Sequence, residues 1–207
     1  MKELRYTLLA DGGSDKVLMP IIDWLFKSRL KEVAYSGNFY APPHHGGVSK
    51  RVKQTLKLYP CDVLFVHRDA EKEAFELRVQ EIHNELAIFE NPYVAIVPVH
   101  MTEAWLLSNE SAIREAANNP NGKEDLGVPP SNKWDKIPDP KGVLFASLKA
   151  ATGLRGRRLD KFHLDAARYR VAQLTSDFSG LAGLPAFRQL CSDIDAYIET
   201  SPIFRSS

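Results

Sequence analysis

The amino-acid sequence predicts an α/β protein: a mainly parallel four-stranded sheet flanked by helices, continued by a helical C-terminal extension. Three observations carry this expectation. Three short apolar runs bounded by turn residues, Leu4–Ala10, Cys61–His67 and Tyr93–Val99, read as strands, and Val33–Tyr40 reads as a further one, second in chain order. Segments with apolar residues at helical spacing separate them. The strand–helix alternation, with short connections, is the pattern of right-handed βαβ crossovers.

Each element has its own justification. Leu4–Ala10 is broken by Asp11-Gly12-Gly13, after which Ser14 is placed to cap a helix with Asp15 in its first turn. That helix carries Val17, Leu18, Ile21, Ile22 and Leu25 on one stripe; Pro20 implies either a first turn or a kink, because proline lacks a backbone donor. Pro42-Pro43-His44-His45-Gly46-Gly47 reads as a loop, in which the histidine pair is expected to be exposed rather than metal-bound. Val48–Tyr59 reads as a helix with a basic face of Lys50, Arg51, Lys53 and Lys57. Cys61–His67 suits a central parallel strand. Lys72–Phe89 is an amphipathic helix striped by Phe75, Val79, Ile82 and Leu86, and Thr102 can cap the helix after the fourth strand.

Asn118–Pro140 is different. Eleven of its 23 residues are Gly, Pro or Asn, so a long loop is expected, and such loops are usually functional or disordered. Beyond it Val143–Thr152, Leu159–Leu174 and Pro185–Ile198 read as helices. The expected organisation is an α/β domain over residues 1–117, the loop 118–140, and a helical extension 141–207 packing on the same core.

Composition excludes several classes. The 207 residues are 44% hydrophobic and 26% charged, ordinary for a globular domain able to bury a core without staples. Cys61 and Cys191 are too few for a disulfide framework, and the apolar N-terminal run is too short to span a membrane. No secretory leader is legible, so a cytoplasmic location is expected. With 27 Lys and Arg against 26 Asp and Glu, the net charge of +1 excludes a global polyanion-binding charge. A local one remains. Lys141 to Arg170 holds eight basic residues, Arg155, Arg157 and Arg158 among them, against two aspartates, a surplus of +6; Glu71 to Glu90 is −4. Such runs are either solvated helix faces or a basic wall facing an anionic substrate.

In open α/β sheets ligands sit outside the carboxyl ends of the strands. The first strand ends in Asp11, the third in His67-Arg68-Asp69-Ala70-Glu71, and the fourth runs on to Glu103. Hard oxygen ligands gathered at one edge suit Mg²⁺ or Mn²⁺. The same carboxylates also have plainer uses: Asp11 as a turn residue, and Asp69, Glu71 and Glu103 as complements to helix N-termini. His67 is readable as a core histidine or as a ligand.

Several motifs fail. His67-Arg68-Asp69 copies a kinase catalytic-loop tripeptide, but Ala74 stands where that loop needs Asn. Asp11-Gly12-Gly13-Ser14-Asp15 has the spacing of neither a Walker A loop nor a nucleophile elbow.

Asp11-Gly12 with Asp15 downstream, followed by an apolar helix, resembles the opening of a TOPRIM domain, where a Glu-Gly pair ends the first strand. Val63–Glu71 is similar to the second TOPRIM motif, Asp-x-Asp-x-Glu after a buried strand, with Asp69 as the second aspartate, Glu71 as the glutamate and His67 replacing the first aspartate. Glu103-Ala104-Trp105-Leu106-Leu107 resembles a segment of small uncharacterised TOPRIM-like proteins related to OLD-family nucleases, many of which are thought to act in defence against foreign DNA. The resemblance covers residues 4 to 108. It implies a Rossmann-like TOPRIM sheet and metal-dependent phosphodiester hydrolysis of nucleic acid. Asp11, Asp69, Glu71 and Glu103 would be the ligands of Mg²⁺ or Mn²⁺, with Asp11 as ligand or base and His67 beside the metal. Arg68, Arg155, Arg157 and Arg158 would contact phosphates. Two departures stand out: Asp11 is one methylene shorter than glutamate, and His67 is a poorer Mg²⁺ ligand than aspartate, though a better one for softer metals. They leave a second expectation open, a non-catalytic module docking a partner protein such as an ATPase.

Overall fold

The computed structural model describes residues 3–31, 33–43, 47–70, 74–99 and 101–205. The chain is α/β with a four-stranded, all-parallel sheet and helices at its C-terminal end. It divides into two compact units, Met1–Val99 with Pro185–Ser207, and His100–Leu184. The helix expected over Pro185–Ile198 therefore belongs with the sheet, and Asn118–Pro140 with the second unit.

In the first unit the strands are β1 (Glu3–Leu9), β2 (Ala34–Tyr40), β3 (Val63–His67) and β4 (Tyr93–Ile96), in the order β2-β1-β3-β4. The helices between them are α1 (Leu18–Arg29), α2 (Gly47–Leu58) and α3 (Phe75–Leu86). The chain first steps from β1 outward to β2, then returns past β1 to β3 and β4. Right-handed crossovers in opposite directions must lie on opposite faces, and the packing agrees. Val48 and Val52 of α2 and Ile82 and Leu86 of α3 pack with Leu9, Leu64, Val66, Ala95 and Val97. On the other face Tyr6 and Phe65 meet Phe26 of α1 at ring-centroid distances of 5.5–5.9 Å. Trp24 of α1 faces Phe187 of a C-terminal helix (Pro185–Thr200) whose Tyr197 hydroxyl donates to the Asp62 carbonyl at 3.3 Å. β3 is buried along its whole length because both of its faces are covered, whereas β1 is buried from Tyr6 to Leu9 and leaves Glu3 and Arg5 exposed.

β2 differs: its centre, Ser36 to Asn38, is exposed. Gly37 pairs with Tyr6 of β1. A Cβ on Gly37 would overlap the Tyr6 ring, whose hydroxyl is held by Asp23 of α1 at 2.6 Å.

Local signals are modified in three places. Ser14 does not cap a helix; it lies inside a 3₁₀ turn, Gly13–Val17, that leads directly into α1. The reach-back is made by Asp15, which accepts from the Gly12 amide at 2.8 Å and from the Ser14 hydroxyl at 3.1 Å. Starting at Leu18, α1 places Pro20 in its first turn, where amides have no intrahelical acceptor, so no kink arises. β4 stops at Ile96, two residues before Pro98.

In the second unit Thr102 begins a buried 3₁₀ segment, Thr102–Ser108, whose N-cap position is taken by Met101. After it come α4 (Glu110–Ala116), α5 (Pro140–Thr152), α6 (Arg157–Asp160) and α7 (Leu164–Leu174); α5 and α7 pack on the 3₁₀ segment, and α4 packs on both of them. Trp105, Leu106, Ile113, Leu144, Leu148 and Val171 are among its most buried residues. α5 begins earlier than its apolar stripe: Asp139 accepts from the Gly142 amide at 2.8 Å, Pro140 occupies the first turn, and Gly153 at φ 63° ends it. The long Gly/Pro/Asn stretch contains a 3₁₀ turn, Ser131–Lys136, anchored by the Trp134 indole donating to the Pro129 carbonyl at 2.8 Å. The single helix expected over Leu159–Leu174 is interrupted at Lys161–His163, between α6 and α7. Among the described residues no helix is long and apolar enough to cross a membrane.

Candidate functional site

The order of strands reverses between β1 and β3, so the segments after these two strands leave toward opposite faces and open a crevice at their carboxyl ends. The register ends with Leu9 beside Val66, so Ala10-Asp11 continues alongside His67-Arg68. Two charge networks stand at this crest, one on each side of the sheet.

On the α1 side the buried His67 ring lies between two carboxylates. Its Nδ1 is 3.3 Å from Asp15 Oδ2 and its Nε2 is 3.4 Å from Asp69 Oδ1. Burial by itself would push the imidazole down, but the two carboxylates outweigh it and raise the pKa to about 9. Asp15 shows the converse: burial works to raise it, yet His67 and the Gly12 and Ser14 donors bring it below the usual aspartate range. At neutral pH His67 is therefore an imidazolium set between the Asp15 and Asp69 side chains. A protonated imidazole has no lone pair for a metal. His67 in this state is a strut that fixes Asp15 and Asp69.

On the α2/α3 side three arginines alternate with two carboxylates. Arg51 donates to Asp11 Oδ1 at 2.7 Å and to the Ala10 carbonyl at 2.6 Å. The second Asp11 oxygen is 3.6 Å from Arg68 Nε. Arg68 reaches Glu81 Oε1 at 2.5 Å, and Arg78 holds the other Glu81 oxygen. Arg51 is buried, which corrects its place on a solvated basic face of α2: with Val48, Val52 and Thr55 it belongs to the stripe that packs on the sheet.

The expected site residues therefore divide. Asp11, His67, Arg68 and Asp69 are gathered at neighbouring strand ends. Glu71 lies outside the described residues, as do His44 and His45. Glu103 belongs to the second unit, where Arg168 donates to its Oε1 at 2.7 Å and both side chains are about 8% exposed. Arg155, Arg157 and Arg158 are exposed at and before α6. Arg168, counted above with the basic surplus, is buried and committed to Glu103, so it contributes nothing to a surface field. Arg51 and Glu81 join the site with one signal in the sequence, a charged residue on, or next to, an apolar helical stripe.

A hard divalent cation that binds through one or two carboxylates, with water and phosphate oxygens completing its shell, finds a fitting donor set in Asp11 and Asp69. Their side chains are 24% and 29% exposed, so both carboxylates keep access to solvent, with Asp69 Oδ1 turned toward His67 Nε2 at 3.4 Å. Among the described residues no three His, Cys, Asp or Glu form a ready cage, so the protein would supply a minority of the ligands. Comparison with family models, curated proteins and solved structures returns no significant match.

Proposed function

We propose that the sheet-bearing unit hydrolyses phosphodiester bonds of nucleic acid with the help of Mg²⁺ or Mn²⁺, in the manner of the TOPRIM domains it resembles. One observation supports this above the others: the reversal of strand order sets Asp11 and Asp69 on adjacent strand ends, beside arginines, at the crevice where open α/β sheets receive ligands. Asp11 and Asp69 would hold the ion. When bound, it would polarise the phosphate and lower the pKa of a water nucleophile. His67, 3.4 Å from Asp69 Oδ1, would hold that carboxylate so that its orientation is set before substrate arrives. Arg51 does the same for Asp11. Arg68, a quarter exposed, has the planar donor set that suits a phosphate oxygen and offers it beside Asp11.

The test is cleavage of labelled single- and double-stranded DNA and of RNA by the purified chain with Mg²⁺ or Mn²⁺. We expect cleavage that EDTA abolishes and that Asp69→Asn reduces about 100-fold or more. Cleavage that persists in Asp69→Asn, or none with any substrate, overturns the reading.

A second reading is favoured by a specific observation, the commitment of both Asp11 oxygens to arginines. It makes the crest a charge-balanced scaffold and the chain a docking module for a partner protein, such as an ATPase. Calorimetric titration with Mn²⁺ separates the two, since a docking module needs no ion at Asp11 and Asp69.

A further inference from the structure

The interruption at Lys161–His163 borders an open cavity of about 300 Å³ at the surface of the second unit. Its construction starts at the end of α4. There the Asn118 amide bonds to the Glu115 carbonyl and the Asn119 amide to that of Arg114, both at 3.0 Å, with Asn118 at φ 58°. This is the Schellman pattern, with asparagine in the left-handed position usually taken by glycine. The turn presents the Asn118 side chain to Arg170, which donates to its Oδ1 at 2.8 Å and so is held at the cavity wall.

The lining has two characters. Ala116, Ala166 and Ala167 make a small-residue floor beside the half-buried Phe162 ring. Lys161, His163 and Arg170 make the rim, and among the described residues no carboxylate lines the cavity. Asp165, next to it in the chain, lies 3.4 Å from Arg168. Arg155, Arg157 and Arg158 lie exposed just before it. A ligand matching these walls has a flat apolar body of modest size and an anionic group within reach of two or three donors. One nucleotide of an unpaired strand fits that description: stacking on an aromatic ring is tolerant of base identity, and phosphate is recognised by fixed cations. A duplex, with its bases stacked on one another, has no free base to insert.

We propose that the cavity between α4, Phe162 and the first turn of α7 is a single-nucleotide subsite for single-stranded nucleic acid, with the base against Phe162 and the phosphate on Lys161 and Arg170. It goes beyond the hydrolytic reading and does not depend on Asp11 or Asp69.

The experiment uses the full chain carrying Asp69→Asn, in EDTA, with fluorescein-labelled oligodeoxythymidine followed by anisotropy over a salt series. Lys161→Glu is expected to weaken binding about 10-fold and to lower the salt dependence by about one ion equivalent. Phe162→Ala is expected to weaken binding about 10-fold with the salt dependence unchanged. Unlabelled duplex of the same length should compete poorly. Lys161 is exposed, so its variant should melt like the parent and remain interpretable even if Phe162→Ala does not fold. Oligonucleotide binding that is absent, or unaffected by Lys161→Glu, overturns the proposal, as does equal competition by duplex. Because the assay runs without metal, failed cleavage in the earlier test leaves its outcome untouched.

Discussion

Asp11 and Glu103 both follow a buried strand or strand-like run, both sit where a metal ligand was expected, and both are held by arginine. They differ in what water can reach. Glu103 and Arg168 are each about 8% exposed and face one another inside the second unit, whereas Asp11 keeps 24% exposure while shared between the buried Arg51 and the more open Arg68. A carboxylate enclosed with one guanidinium is a structural device, because losing either partner strands a charge in a medium that cannot solvate it. A carboxylate divided between two arginines at an open crest is oriented but still approachable. The same pair of residue types thus serves packing in one place and a candidate reaction site in another.

The sharpest way to break this contrast is to remove one side of the enclosed pair. Arg168→Met should destabilise the protein by about 3–5 kcal/mol in urea unfolding, and adding Glu103→Gln should recover most of that. If the single variant loses under 1 kcal/mol, Glu103 is reached by water and the distinction collapses.

Next in size is the pH dependence set by His67. Its pKa is raised, so its contribution is fully present below the unfolded value of 6.5 and is lost as pH rises through about 9. About 3 kcal/mol of stability should therefore disappear over that interval, and His67→Gln should flatten the curve there. A parent protein whose urea midpoint is constant from pH 6.5 to 9 would show that the imidazole is neutral.

Arg51→Met should cost about 2 kcal/mol through lost charged hydrogen bonds to Asp11 and Ala10. It should leave Asp11 looser, so that Mn²⁺ heats in calorimetry change as well; an unchanged stability would mean that Arg68 alone suffices. The smallest effect belongs to Arg29 and Asp195, paired at 2.5 Å but with the aspartate half exposed. Arg29→Ala should change stability by less than about 1 kcal/mol, calibrating how much an ion pair at the surface of the sheet-bearing unit contributes.

The α/β class and the four strands were legible because apolar runs and helical stripes are long enough to show their period. The order of strands was not, since nothing local in Leu4–Ala10 says that it will lie between two later strands. Asp11 and Asp69 were legible as residues following strands, but their engagement with Arg51, Arg68 and His67 was not. One physical sign of that engagement is present in the sequence. Arg51 lies among Val48, Val52 and Thr55, and Arg168 among Ala167, Val171 and Ala172; both occupy the buried stripe of their helices. A charge on such a stripe must find a buried counter-charge, which is a prediction of an ion pair rather than of a basic surface. The break at Lys161–His163 has no such local sign, because those three residues contain neither glycine nor proline.

Gly37 has a consequence for engineering. Measured by exposure, it is an inviting place on β2 for a cysteine label, an epitope insertion or a saturation library. Yet any side chain there must displace the Tyr6 ring and with it the Asp23 contact that ties β1 to α1. A deep mutational scan should find it as intolerant as a core leucine: a surface position with the tolerance of an interior one.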